Sequence, residues 1–317
     1  MVKIVNVEPS LYSSDAKGLL EKENSYLEYN GNCTLDKLLL DADVIITRLS
    51  YSINSEFIEK TPQLKVIVSA TTGLDHIDLD LAKRKGIEVL SLRGETEFLS
   101  SITATAELTW GLLLSLIRHI PHASADVMKG NWNRDCFRGY ELQNKTLGII
   151  GYGRLGKIVA NYGKAFGMNV IAYDPHISNG YVPLVGLNQL MSESDVISLH
   201  VPYTEGTRNL LGEKEFALTK KGTLLINTSR GSVINESELL KMLNSGHIGG
   251  AALDVLSGEE SFREGADDWP ASDQLVKYAK SNDNLIIVPH VGGLTYDSAY
   301  ATEMFMAKKL ISYLNDK

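Results

Sequence analysis

Three segments in the last third of the chain carry an ionisable side chain directly after an apolar run. LLINTSRG (224–231) delivers Arg230, AALDVLSGEE (251–260) delivers Asp254 and then Glu259, and LIIVPHVGG (285–293) delivers His290. An imidazole, with an ordinary pKa near ~6.5, can take up or release a proton at neutral pH. A guanidinium offers a planar, permanently charged fork that matches a carboxylate. If the apolar runs are strands of one open α/β sheet, these side chains gather outside the strands' carboxyl ends, where ligands bind in such sheets. Distance along the chain then says little about distance in space. A lone histidine between a proline and a glycine pair would otherwise be read as a turn residue.

A second group of residues points to a dinucleotide. Gly151-Tyr152-Gly153-Arg154-Leu155-Gly156 fits G-x-G-x-x-G, follows the apolar run TLGII and opens the segment RLGKIVANYGKAFG, which has helical spacing. The glycines permit a tight turn and close backbone approach, so that free N–H groups and the helix dipole face a pyrophosphate. Asp174 ends the next run, MNVIAYD, eighteen residues after Gly156. An acid there can accept hydrogen bonds from both ribose hydroxyls and repels a 2′-phosphate, which favours NAD over NADP.

The elements that must position these residues follow a strand-then-helix rhythm. In the first hundred residues the strands read as KIVNV (3–7), DVIIT (43–47), LKVIVSA (64–70) and IEVLSL (87–92), with helical spacing in TLDKLLLDA and LDLAKRKG. Short Val/Ile-rich runs alternating with helices predict a parallel sheet covered on both faces. A largely apolar helix is expected from about 101 to 120, ended by Pro121. From Lys145 the rhythm restarts with strands at TLGII, MNVIAYD, DVISLHV, GTLLINT, GGAALDV and NLIIV, enough for a complete doubly wound unit. Asn235, with Glu238 three residues on, is the expected cap of one helix, and about 297–317 reads as a last helix returning to the first domain.

With 317 residues the chain is too long for one ordinary core and fits two domains. A net charge of −8 gives no general attraction to phosphate backbones or anionic lipid, so neither nucleic acid nor membrane is an expected partner. The start, MVKIVNVEPS, lacks the features of a signal peptide, and Trp110–Ile117, the most apolar stretch, is well short of the ~20 residues that cross a bilayer. Cys33 and Cys136 stand far apart, as a reducing compartment permits. The expected location is cytoplasmic. His76, His119, His122, His176 and His247 lack motif partners and no pair has metal-site spacing, so no metal is expected.

The pieces GLDHIDLDLAKRKGI, TAELTWGLLLSLIRHI, LGIIGYGRLGKIVA, SLHVPYTEGTRNLL, LLINTSRGSVINESEL, GGAALDV and PHVGGLT, spanning about 73–295, resemble in order and content the D-isomer-specific 2-hydroxyacid dehydrogenases, the family of phosphoglycerate dehydrogenase and glyoxylate/hydroxypyruvate reductase. The resemblance implies two doubly wound parallel-sheet domains, the larger a Rossmann domain, with the active site in the cleft between them. The substrate domain is expected at 1–98 and 292–317, the NAD-binding domain at 99–291. It implies a catalytic set of Arg230, Glu259 and His290. In that set His290 exchanges a proton with the C2 oxygen of a D-2-hydroxy acid, Glu259 fixes its tautomer, and Arg230 holds the substrate carboxylate. Backbone N–H groups around Thr72 and Gly73 would receive that carboxylate, an ordinary strand-to-helix turn being the competing reading. Thr228 and His200 are candidate cofactor contacts by the same resemblance, although His200 also reads as a core histidine. Asp254 either bonds the nicotinamide carboxamide or caps a strand end. The region 101–145, with Trp132, is similar to the family's dimer-forming region and implies a homodimer.

Two departures bear on the substrate. Arg93-Gly94-Glu95-Thr96 stands where family members carry an Asn-x-Pro turn, so Arg93 either meets a charged group on the substrate or is a solvated surface arginine. A longer, charged stretch at 260–283 replaces a short Pro-rich one and is expected to be a surface insertion, with reshaping of the pocket rim as the alternative. The chain ends at Lys317, and a C-terminal regulatory domain is not expected. The substrate is expected to be a small 2-hydroxy or 2-keto acid, 3-phosphoglycerate/phosphohydroxypyruvate or glyoxylate/hydroxypyruvate. An NAD-sensing binding protein of corepressor type is the alternative from another class.

Overall fold

The computed structural model describes residues 1–32, 34–259 and 268–316. Cys33 and the first eight residues of the 260–283 stretch lie outside them. The described chain forms two units: Met1–Ile102 with the segment from Leu294 onward, and a larger unit that starts at Thr103 and closes at Gly293.

In the smaller unit, β1 (Lys3–Asn6), β2 (Ser25–Glu28), β3 (Val44–Thr47), β4 (Val66–Ser69) and β5 (Glu88–Ser91) form a parallel sheet in the order β2-β1-β3-β4-β5. All four residues of β3 and of β4 are buried, as strands covered on both faces require. Ile4, Val44, Val66 and Leu90 point to one face, against α1 (Ser14–Glu21) and the last helix, α13 (Tyr296–Asn315). Val5, Ile45 and Ile67 point to the other, against α2 (Leu35–Leu39), α3 (Ser55–Glu59) and α4 (Leu79–Arg84). The buried Glu303 of α13 accepts from the Ser13 N–H at 2.7 Å and ties that helix to the start of α1. The strand β2 was not anticipated, because of its four residues SYLE only Tyr26 is buried and no alternation develops. A short helix α5 (Thr96–Leu99) ends the first segment of this unit.

The larger unit opens with α6 (Ala104–Ile117), whose apolar girth is accounted for by packing: Leu112, Leu113, Leu116 and Ile117 all enter one core with Leu147, Ile149, Val159 and Ala160. Pro121 does not end this helix. The break falls earlier, where His119 takes the left-handed conformation (φ 52°), and Pro121 sits in the first turn of α7 (Ile120–Met128), where its missing N–H costs nothing. Then follow β6 (Thr146–Ile150), α8 (Arg154–Ala165), β7 (Asn169–Tyr173), α9 (Leu187–Glu193), β8 (Val196–Leu199), α10 (Glu213–Leu218), β9 (Thr223–Asn227), α11 (Glu236–Asn244), β10 (Ile248–Leu253), α12 (Gln274–Ala279) and β11 (Leu285–Ile287). Asn235 caps α11 by accepting from the Glu238 N–H.

These six strands pair in parallel in the order β11-β10-β9-β8-β6-β7. A single parallel bridge from Ala172 of β7 to Leu184 adds a further edge. With that edge counted, the order of the larger unit becomes the dinucleotide-binding one, in which the first strand lies at the reversal of strand order. The described part of the 260–283 stretch lies at the surface, with Leu275 its one buried residue, and two contacts tie it down. Leu275 of α12 is buried in the core, and Trp269 packs so closely on Gly258 that a Cβ there would lie 2.3 Å from the indole nitrogen.

Candidate active site

The register of the sheet brings three sequence-distant residues together. Leu253 of β10 pairs with Asn227 of β9 on one side and Ile287 of β11 on the other, so the three strands end at one level. Arg230 lies three residues beyond Asn227, Asp254 one beyond Leu253, and His290 three beyond Ile287. Gly231 lets the Arg230 turn rest on the next one: a Cβ there would lie 2.0 Å from the Leu256 carbonyl carbon. The loop that carries Glu259 is therefore packed directly against the turn that carries Arg230.

His290 Nδ1 and Glu259 Oε2 are 2.7 Å apart, and the other oxygen, Oε1, accepts from the Leu256 N–H at 2.9 Å. With both carboxylate oxygens committed, Glu259 is fixed in place, and a proton on Nδ1 leaves Nε2 to face a ligand. His290 adopts φ 52°, a conformation that costs a non-glycine residue free energy and is held here by its surroundings. Its backbone N–H donates to the Asp254 carbonyl at 2.8 Å, and the Asp254 carboxylate accepts from Val291 N–H at 2.7 Å and Gly292 N–H at 2.9 Å. Asp254 is thus the anchor of the turn after His290. Burial pushes its carboxyl up to about 6, against the opposing pull of those two N–H groups and of His290.

Asn227 braces the Arg230 turn by donating to the Arg230 carbonyl at 2.9 Å and accepting from Ser229 N–H and hydroxyl. Arg230 Nη1 donates to the Ser229 carbonyl at 2.8 Å. Thr228 is buried and its hydroxyl meets that of Thr109 of α6 at 2.9 Å. Spacing gave no signal for Thr109, which reads as one polar residue on an apolar helix.

The glycine loop fits a dinucleotide phosphate for two separate reasons. Gly156 is needed for packing, since a Cβ there would lie 2.1 Å from the Gly151 carbonyl oxygen. Gly153, the N-cap of α8, faces open space, so a phosphate can approach the helix N-terminus without obstruction. Arg154 and Leu155 form the first turn of that helix, and burial lowers the Arg154 pKa. Asp174 lies over the loop, one oxygen accepting from Tyr152 N–H and the other from His176 N–H, each at 2.9 Å. Each oxygen keeps a lone pair for a ribose hydroxyl. His200 follows β8, with Nε2 2.8 Å from the Ser198 hydroxyl, and burial lowers its pKa to about 4. The ring is neutral and its carbonyl backs the glycine turn at Gly151.

In the smaller unit, Thr72 and Gly73 form the turn after β4. Among the described residues no acceptor engages either N–H. Arg93 is exposed, with Nε 3.5 Å from the Thr72 carbonyl. Among the described residues no cluster of three or more His, Cys, Asp or Glu is arranged to hold a metal ion.

Residues 110–292 match the sequence model described as D-isomer specific 2-hydroxyacid dehydrogenase, NAD binding domain. The chain is 38% identical to D-3-phosphoglycerate dehydrogenase of Methanocaldococcus jannaschii over 98% of its own length and 57% of that protein's, so it spans little more than half of this relative. It is 36% identical to hydroxypyruvate reductase of Thermotoga maritima over 93% of its own length and 91% of the relative's. Among solved structures, D-lactate dehydrogenase of Aquifex aeolicus, complexed with NAD and lactic acid, superposes with a TM-score of 0.84 at 30% identity, covering 99% of this chain and 96% of that one. The chain belongs to the D-isomer specific 2-hydroxyacid dehydrogenase family.

Proposed function

We propose that the protein is an NAD-dependent dehydrogenase interconverting a small D-2-hydroxy acid and its 2-keto acid. The observation that carries this reading is the 2.7 Å pair between His290 Nδ1 and Glu259, set beside the Arg230 turn at the carboxyl ends of a sheet that also holds the glycine loop. NAD, when bound, supplies the hydride acceptor and its reduced form the hydride donor. His290 Nε2 takes the proton of the C2 hydroxyl in oxidation and returns it to the C2 oxygen in reduction. The Glu259 carboxylate compensates the charge that forms on the ring, and the Arg230 guanidinium draws the substrate carboxylate and the C2 oxygen to it. The N–H groups of Thr72 and Gly73 add an uncharged carboxylate site. In this reading 99–291 is the cofactor domain and 1–98 with 292–317 the substrate domain.

The cofactor cradle is Gly151, Gly153, Arg154, Leu155, Gly156 and Asp174, with His200, Thr228 and Asp254 as further cofactor contacts. Phosphohydroxypyruvate and 3-phosphoglycerate are the first substrate pair to test, in keeping with the archaeal relative's name. Glyoxylate and hydroxypyruvate are the second, favoured by the Thermotoga relative that matches over nine-tenths of its own length. We take the protein to act in the cytoplasm as a homodimer. The test is NADH and NADPH oxidation with glyoxylate, hydroxypyruvate, phosphohydroxypyruvate and 2-oxoglutarate. Turnover of at least one acid with NADH is expected. Tight NADH binding with no turnover of any of them would replace the enzyme by an NAD-sensing binding protein.

A further inference from the structure

The turn after β4 contains a chain of hydrogen bonds whose direction follows from proton counting. Thr71 Oγ1 donates to the Gly73 carbonyl at 2.8 Å and lies 2.8 Å from Ser69 Oγ, which in turn lies 3.3 Å from His76 Nε2. A carbonyl oxygen only accepts, so the one hydroxyl proton of Thr71 is committed to Gly73. Thr71 must then accept from Ser69, and Ser69, its own proton spent, must accept from His76. Neutral His76 is therefore the tautomer with its proton on Nε2. Ser69 is fully buried and His76 is 3% exposed, so water does not substitute for either group.

The chain spans the two residues whose N–H groups have no acceptor among the described residues. It pins the 73–74 peptide through the Gly73 carbonyl. Arg93 Nε lies 3.5 Å from the Thr72 carbonyl of the 72–73 peptide. In a trans peptide the C=O and N–H point in opposite directions, so with the Thr72 carbonyl facing Arg93 the Gly73 N–H points away from it. The far end of the chain is also fixed: the His76 carbonyl accepts from Ile53 N–H at 2.7 Å.

We propose that Ser69 and His76 are positioning residues for the substrate carboxylate, holding the Thr72–Gly73 turn in its anion-receiving form through Thr71. The inference rests on the reading of that turn given above. Binding gains when the receiving N–H groups are ordered beforehand, because the ordering cost is then not charged to the ligand. The expected loss is in carboxylate affinity, with the chemical step unaffected.

The test uses the full chain with the 2-keto acid that it reduces, oxamate as an unreactive mimic, and the variants Ser69→Ala, His76→Leu and His76→Gln. Ser69→Ala removes only a hydroxyl and keeps the test decisive if His76→Leu fails to fold. Long-range nitrogen–proton NMR of the wild type should show the His76 proton on Nε2. Ser69→Ala and His76→Leu should raise KM and the oxamate inhibition constant about 10-fold, with kcat within about 2-fold and NADH affinity unchanged. His76→Gln, whose amide can donate from a similar position, should restore most of the loss. A proton on Nδ1 alone, or an unchanged KM in both variants of an active enzyme, would overturn the proposal. Wild-type protein that turns over no 2-keto acid would instead overturn the functional reading, while the NMR result still decides the hydrogen-bond chain.

Discussion

His290 Nδ1 and Glu259 Oε2 form a 2.7 Å hydrogen-bonded pair. Glu259 spends one oxygen on His290 and the other on the Leu256 N–H. Replacing His290 by Ala should cut turnover by roughly 10²-fold or more and leave NADH affinity unchanged, as measured by steady-state kinetics and fluorescence titration. Glu259→Gln keeps the size of the side chain and removes its charge, and a turnover loss of roughly 10²-fold is expected with the melting temperature preserved. His200 supplies a pH prediction of a different kind. Its folded pKa, about 4, lies below the ordinary histidine value because burial penalises the charged ring. A depressed pKa contributes stability that is present above the unfolded value and is lost as pH falls through the folded one. Between about pH 6.5 and 4 the wild type should therefore lose melting temperature faster than His200→Gln, whose side chain does not titrate. Parallel pH slopes for the two proteins would contradict this.

At the level of elements, two glycines of one loop serve different purposes, and alanine separates them. Gly156→Ala places a methyl against the Gly151 carbonyl and should lower both stability and NADH affinity. Gly153→Ala points its methyl into open space, so the melting temperature should hold while NADH affinity drops by about 10-fold or more through obstruction of the phosphate. Equal losses of stability in the two variants would contradict the assignment. The glycine loop, the Asn235 cap and the inner strands were legible in the sequence because each has a local signal: a strand-turn-helix motif, a side-chain cap, an unbroken apolar run. The signal failed where the cause is tertiary. The edge strand β2 buries one residue in four and shows no alternation. The break before Pro121 is set by the backbone at His119, not by the proline. The same division holds within the site. Strand-end placement indicated Arg230, Asp254, Glu259 and His290, but the bracing by Asn227, the contact of Thr109 with Thr228 and the chain from His76 to Gly73 depend on residues that meet only in the fold.

For the whole molecule, the segment from α7 to β6 exposes more large apolar side chains than a free surface needs. Met128 is 79% exposed, Trp132 89% and Tyr140 71%. Surfaces of this kind are commonly buried by a partner, and a second copy of the chain is the occupant consistent with the proposed homodimer. Light scattering at micromolar concentration should give twice 34.9 kDa, and Trp132→Glu should shift the protein towards monomer. A stable wild-type monomer would contradict the proposed dimer. In the proposed reaction the His290–Glu259 pair performs proton transfer for an NAD-dependent 2-keto acid reduction. The most direct measurement is NADH oxidation by wild type and His290→Ala, side by side, with the best acid of the substrate panel. Robust oxidation by the wild type is expected, with a loss of roughly 10²-fold or more in the variant at unchanged NADH affinity. Equal turnover by the two proteins would contradict it.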